Sequence, residues 1–415
     1  MLRGRPLSSA VQMTTPLEGV TVLDASHFAA GPYCSMLLAD AGARVIKIEP
    51  PGRGEPYRSE GPILTSDSGV RQGSYFLRFN RSKESVTLNL NAERGKELFR
   101  SLVKAADVLV ENFRPDTLDR LGLGYSTLRE INPRLVYASI SGFGHTDIDP
   151  SPYWQWPALA VVAEAVSGVM DRIGDAGCPP HWSGVSAGDL YAGGLAVGGV
   201  VMALYQRAVN GQGQHVDISM VDCMLSLNER AIFTYETTGE VLDRGGPEQI
   251  APFGPFRAKD GYVAIGVIGD PIWIRFCNAI GRPELLEDDR LRDGTGRSRH
   301  MQGFLGPIIE EWLSHKGKVE ASHLLLDANV PAAPVNNAAE AAESEHVIAR
   351  RMLFDVEYPG FGTFKVVGSP LKMSGNPTRT VVTAPNLGQH TDTVLREFAG
   401  LDGSELDELR AAGTI

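Results

Sequence analysis

Gly19-Val-Thr-Val-Leu-Asp24, the turn Ala29-Ala-Gly-Pro32, a helical run from Tyr33 to Ala41 closed by Gly42, and then Ala43-Arg-Val-Ile-Lys-Ile-Glu49 ended by Pro50-Pro51 decide the fold. Two β-branched runs bounded by turn residues read as strands, and the helical piece between them is long enough for a crossover. That is one βαβ unit. It lacks the G-x-G-x-x-G fingerprint of a dinucleotide site.

Working outward, the alternation repeats. Ser85 to Leu90 reads as a strand, Ala92 to Ala105 as a helix and Asp107 to Asn112 as a strand. Two short helical pieces lead to a strand at Leu135–Ile140, and a further strand at His215–Ser219 precedes a helix over Met220–Tyr235. Alternating strands and helices predict a parallel, doubly wound sheet. From about residue 239 the texture changes, with Gly239, a loop at Arg244–Pro247, the proline-rich Pro252–Phe256, a strand at Tyr262–Val267 and helices at Pro271–Ile280 and Phe304–His315. This reads as a smaller α+β domain. The expected division is an extension at 1–15, a large Rossmann-like domain over 16–225, linkers and small domain over 226–354, and a return to the large domain over 355–415. The tail from Leu387 is expected to be helical and to dock on the large domain.

Between those strands lies Ser183-Gly-Val-Ser-Ala-Gly-Asp189, followed by an almost uncharged helix to Leu204 with glycines at 193, 194, 198 and 199. Each glycine costs about 1 kcal/mol in a helix interior, so close backbone packing is expected there. Asp189 stands at the helix start, where the dipole favours negative charge. It reads either as an N-cap or as a carboxylate nucleophile beside a small-residue cavity, and spacing alone leaves both open.

A chain of 415 residues with a net charge of −11 fits two domains and argues against nucleic acid as a partner. Cys34, Cys178, Cys223 and Cys277 form no C-x-x-C pair, so neither a disulfide framework nor a zinc site is signalled, and a reducing, cytoplasmic setting is expected. The apolar run Leu190–Tyr205 is too short and glycine-rich to span a bilayer, so no membrane is expected. Residues 1–15 carry two Arg and no acid, faintly like a targeting leader; an unstructured extension with Met13 as an alternative start is the plainer reading. No metal spacing is present.

Basic and amide side chains cluster at strand ends in Arg78-Phe-Asn-Arg-Ser-Lys83, Glu111-Asn-Phe-Arg-Pro-Asp116 and Arg120, where doubly wound sheets bind ligands. Arg offers a fork for phosphate and Asn a paired donor and acceptor for a heterocycle edge. A solvated rim is the alternative.

Leu17-Glu-Gly-Val, Ala30-Gly-Pro32, Gly42–Glu49, Asn80-Arg81, Asn112-Phe-Arg-Pro115, Asn132-Pro-Arg-Leu135, Ser141-Gly-Phe-Gly144, Gly211-Gln-Gly-Gln214, Met220-Val-Asp222 and Leu387-Gly-Gln-His-Thr391 together resemble the family III CoA-transferases, in register from about residue 16 to the C-terminus. The resemblance implies a Rossmann-like large domain, a small domain and an interlocked homodimer. It implies Asp189 as the nucleophile, and CoA contacts at Ala29, Leu88, Asn89, Asn112, Phe113, Arg114 and Arg120. Candidate oxyanion donors are Gly188, Gly245 and Gly246. No cofactor is bound permanently, and the CoA thioester is itself a substrate beside the free acid.

Formyl-CoA transferases have glutamine where this chain has Ala29 and a longer glycine loop where it has Gly245-Gly246, so oxalate and formate are not the expected acids. Pro50, Asn91 and Ser141 replace basic residues of some members. The expected acid is a small dicarboxylate such as succinate or a methyl-branched C4–C5 acid, with Arg230, Arg244 and Arg257 as candidate clamps. The alternatives are a 2-methylacyl-CoA racemase and, further off, a non-catalytic CoA-binding protein. Related racemases place a His-Asp pair where this chain has Leu159-Ala160, and neither residue can move a proton.

Overall fold

The computed structural model describes residues 15–146, 148–175, 177–245, 250–375 and 381–415. The chain divides into two units: the first reaches to Asp171 and resumes over His181–Ile232 and Arg351–Ile415, and the second comprises Arg172–Pro180 and Phe233–Arg350.

In chain order the elements up to residue 238 are β1 (Thr21–Asp24), α1 (Ala30–Asp40), β2 (Arg44–Glu49), β3 (Ile63–Thr65), β4 (Arg71–Gly73), α2 (Ser74–Phe79), β5 (Lys83–Thr87), α3 (Glu93–Ala105), β6 (Val108–Glu111), α4 (Thr117–Arg120), α5 (Tyr125–Ile131), β7 (Val136–Ser141), α6 (Ala160–Val166), α7 (Val169–Arg172), α8 (Ala187–Asn210), β8 (His215–Ser219), α9 (Met220–Leu227) and α10 (Glu229–Thr238). Six strands form one parallel sheet in the order β5-β2-β1-β6-β7-β8. The strand order reverses between β1 and β6, which makes their carboxyl ends the crevice where such sheets take ligands.

Successive side chains of a strand point to opposite faces, and here they build two cores. Leu23, Ile46, Val86 and Leu109 pack with Leu98, Phe99 and Leu102 of α3 and with Val394, Leu395 and Leu406 of the tail helices Thr391–Ala399 and Gly403–Ala411. Their neighbours Val22, Val45, Val108 and Val136 pack on Cys34 and Leu38 of α1 and on Ala192, Ala196 and Val200 of α8. The doubly wound sheet and the docked tail therefore appear where the alternation of apolar residues puts them.

Several expectations need correction. Met220–Tyr235 is two helices, broken at Asn228, whose side-chain amide donates to the Ser167 carbonyl at 3.1 Å. The proline-rich stretch near 252 contains a strand, β9 (Phe253–Ala258), paired antiparallel with β10 (Gly261–Gly266); β11 (Ala332–Pro334) completes the sheet on the other side. Pro255 is tolerated because β9 is an edge. A hairpin of β12 (Leu353–Tyr358) and β13 (Gly362–Val367) was not expected. The apolar helix α8 has 24 residues, enough by length and composition to cross a bilayer. Its apolarity has a local cause, since one face lies on the sheet and on α1.

Candidate active site

The turn after β1 is held from beneath by buried charge. The ammonium of Lys83 donates to Asp24 (2.8 Å), to the Asn80 side chain (2.8 Å) and to the Pro32 carbonyl (3.0 Å), while that of Lys47 donates to the Ser26 carbonyl (2.8 Å). These contacts hold Asp24 well below the usual carboxylate range despite its burial. Gly31 is required for the turn to close, because a Cβ there would lie 2.2 Å from that of Ser26. Ala29, buried, then takes the N-cap position of α1 and leaves that helix end without a side-chain cap.

Across the order reversal, the Asn112 side chain accepts from the His27 N–H (2.7 Å) and donates to the His27 carbonyl (2.8 Å), and the Phe113 ring meets the His27 ring edge-on at 4.9 Å. Burial and the charge of Lys47 push His27 down to about 4, so it is neutral at pH 7. Ala29, Asn112 and Phe113 thus converge at the switch point. Arg114 is exposed beside them, with no ion pair among the described residues. Arg120 is exposed and paired with Asp116 at 3.2 Å. Asn89 follows β5 and is tied by its N–H to the Thr414 carbonyl (2.8 Å). The side chain of Leu88 is sunk in the core, which leaves only its backbone for a ligand.

Asp189 sits on the first turn of α8. Ser186, in the left-handed region (φ 53°), is the N-cap, so Asp189 is the third helical residue and not the cap. No hydrogen bond or ion pair among the described residues reaches its carboxylate. Its neighbour Leu190 packs into a cluster of Ala29, Met36, Phe79, Tyr33 and Tyr57, which brings the head of α8 to the β1–α1 turn. Gly193 permits this, since a Cβ there would lie 2.5 Å from the Ala30 carbonyl, while Gly188 lets α6 close in, a Cβ there lying 2.8 Å from the Ala160 carbonyl. Gly199 is similarly close to Val216, whereas Gly194 and Gly198 face open space, so close packing explains only part of the glycine pattern.

Burial, reinforced by the charge of Glu164, pushes Asp189 up to about 6. Glu164 lies on α6, fully buried, and accepts from the Trp182 indole N–H (3.0 Å), the Ser183 N–H (3.1 Å) and the Ser183 hydroxyl (3.0 Å). It therefore clamps the segment that leads into α8. The sequence reading passed over this residue; the signal was a lone carboxylate in the apolar run Ala160-Val-Val-Ala-Glu164-Ala-Val166. Ala160, where the racemases carry half of their His-Asp pair, touches Gly188 and brings no acid–base group.

Gly245 belongs to the second unit, and Gly246 lies outside the described residues. Arg244 and Arg257 also belong to the second unit, where Arg244 donates to the Cys178 carbonyl and Arg257 to the Tyr262 hydroxyl at 3.2 Å. Arg230 belongs to the first unit. Among the described residues no group of three or more His, Cys, Asp or Glu is placed to hold a metal.

By fold and site this is a doubly wound α/β protein with a carboxylate, unpaired among the described residues, beside its switch-point crevice. The chain belongs to CoA-transferase family III, whose family model matches residues 17–391. It is 38% identical over 391 residues to the succinyl-CoA:mesaconate CoA-transferase of Haloarcula marismortui, covering 93% of this chain and 97% of that one. It is 35% identical to the succinyl-CoA–D-citramalate CoA-transferase of Chloroflexus aurantiacus, covering 96% and 98%. The crystal structure of a CaiB/BaiF family protein from Brucella suis superposes with a TM-score of 0.81 at 31% identity, covering 93% of this chain and 100% of that one.

Proposed function

We propose that this CoA-transferase moves CoA between an acyl-CoA thioester and a small dicarboxylic acid, succinate or a methyl-branched C4–C5 acid, with Asp189 as the covalent carrier. The observation that carries the reading is the Asp189 carboxylate itself. A half-buried carboxylate with no compensating partner is costly, and such groups concentrate at functional sites. The choice of acid draws on the relatives above, named for succinyl-CoA with mesaconate or D-citramalate.

The chemistry must exchange one acid for another without losing the thioester to water. An ionised Asp189 oxygen attacks the thioester carbonyl; the C–S bond breaks, leaving an aspartyl–acyl anhydride and the CoA thiolate. The thiolate then attacks the Asp189 carbonyl carbon and releases the first acid, so that CoA is held as an aspartyl thioester. A carboxylate of the second acid attacks that carbon, expels the thiolate and forms a new anhydride. Attack by the thiolate on the acyl carbon yields the new thioester and frees Asp189. Each step trades one activated acyl group for another of similar energy. First-turn N–H groups of α8 near Gly188 are the donors we assign to the developing oxyanion; one such donor is typically worth about 3–4 kcal/mol.

Two further elements belong to this reading. The outward face of α8 exposes Met202 (73%), Tyr205 (75%) and Val209 (75%) next to the open Gly194 and Gly198, a surface suited to burial by a second chain in an interlocked dimer. Free thiols at Cys34, Cys223 and Cys277, all buried, suit a reducing cytoplasm. The test is Asp189→Ala assayed with succinyl-CoA and a panel of acids. Turnover should fall by several orders of magnitude with the circular dichroism spectrum unchanged; retention of more than a few per cent would remove Asp189 from the chemistry.

A further inference from the structure

Arg78, on α2, is exposed and held without any ion pair among the described residues. Its guanidinium lies over the rings of Tyr75 (5.1 Å) and Phe79 (4.6 Å). Tyr75 meets Tyr57 edge-on at 5.4 Å, and Tyr57 meets Phe28 edge-on at 5.5 Å. Phe79 and Tyr57 both belong to the cluster that receives Leu190, the residue after Asp189. One aromatic wall therefore runs from the head of α8 to this cation. Its neighbours are already committed: Arg58 is paired with Glu49 at 2.7 Å and Arg81 with Asp40 at 2.7 Å.

Stacking fixes the plane of a guanidinium and leaves its N–H fork free for a carboxylate. The site also needs a cation. A dicarboxylate approaching Asp189 and Glu164 brings two negative charges to two already there, and Asp189 has no cationic partner among the described residues. The Tyr57 phenol lies between them: burial first, and then the charge of Asp189, pushes its pKa up, while the charge of Arg78 pulls it down.

We propose that Arg78 anchors the distal carboxylate of the dicarboxylic substrate, the one that is not activated, while the reacting carboxylate faces Asp189. The inference rests on the reading of Asp189 as carrier. It makes Arg78 a specificity-determining residue and places the selection for dicarboxylic acids on α2, ahead of Arg230, Arg244 and Arg257.

The experiment compares mesaconate with tiglate, in which a methyl group replaces one carboxylate, as acceptors from succinyl-CoA. Exchange through a covalent enzyme makes kcat/KM for the acceptor independent of the donor's own carboxylate, so donor effects do not confound the comparison. The wild type should prefer mesaconate. Arg78→Met should lower kcat/KM for mesaconate by about 30-fold, the loss expected for one charge-assisted bond, leave tiglate within about twofold, and leave the melting temperature unchanged. Arg78→Lys should restore part of the preference. An equal fall for both acids, a rise confined to the KM of succinyl-CoA, or a wild type without the preference would overturn the proposal. Asp189→Ala measured alongside separates the two readings: an inactive Asp189→Ala with an indifferent Arg78→Met sinks the anchor alone. An active Asp189→Ala with a selective Arg78→Met sinks the carrier alone.

Discussion

Replacing Glu164 by glutamine should make the enzyme faster in acid. In the proposed mechanism Asp189 must be ionised to attack, and in the folded protein it is raised from 3.8 to about 6, first by burial and second by the charge of Glu164. Lifting the group from 3.8 to about 6 corresponds to roughly 3 kcal/mol against the ionised form. Burial is the larger cause and is untouched by the substitution, so removing the charge should return about one unit or less, up to about 1.4 kcal/mol. The amide oxygen of Glu164→Gln still accepts from the Trp182 indole or the Ser183 hydroxyl, whose bonds to Glu164 are 3.0 Å each. The sign follows from ionisation: activity is lost as pH falls through the pKa of Asp189, and a lower pKa moves that loss to lower pH. At pH 5 the ionised fraction would rise from about one tenth to about one half, a gain of about fivefold for a one-unit change. The assay is kcat/KM for the acyl-CoA from pH 4.5 to 8, which reports groups of the free enzyme. An acid limb that stays in place or moves upward in Glu164→Gln would refute the electrostatic link, while a uniform loss at every pH would leave Glu164 only a clamp on residues 182–183.

Arg114→Ala should raise the KM of the CoA ester by about 10- to 100-fold and leave the acid's KM unchanged, as expected for one lost phosphate contact; steady-state kinetics with both substrates varied checks this. Met202→Glu combined with Tyr205→Glu should disturb the proposed dimer, because two charges enter a face otherwise fit for burial, and sedimentation should show the wild type at twice the chain mass of 44.7 kDa. A wild type that sediments as a compact single chain would contradict the interlocked assembly.

What was legible in the sequence was whatever a local pattern encodes. Val22 and Leu23, or Val45 and Ile46, announce strands buried on both faces, and the same pairs divide between the two cores. The strand order was not legible, because which strand pairs with which depends on contacts far apart in the chain. Asp189 could be placed at a helix start but not within it, since the left-handed turn at Ser186 that shifts the cap by three positions leaves no compositional mark. Glu164 was missed because burial of a charge depends on partners from a distant loop, Trp182 and Ser183. The four glycines at 193, 194, 198 and 199 of α8 read alike in sequence, yet a Cβ on Gly193 or Gly199 would meet neighbouring atoms while Gly194 and Gly198 face open space. Pro255 gives no strand signal in the sequence, and its place on an edge strand is what makes it harmless there. In the hairpin at 353–367 the alternation in Leu353-Phe-Asp-Val-Glu-Tyr358 is present and buries Val356 and Tyr358, but its partner strand is mostly exposed and gives no such pattern.

The central claim, that Asp189 carries the CoA, is tested most directly by catching it in the act. The enzyme is mixed with succinyl-CoA in the absence of an acceptor, the covalent form is trapped with hydroxylamine, and the digested peptides are weighed by mass spectrometry. The account predicts a hydroxamate on the side chain of Asp189, dependent on succinyl-CoA and absent from Asp189→Ala. A modification on any other residue, or none at all from an enzyme that turns over under the same conditions, would contradict it.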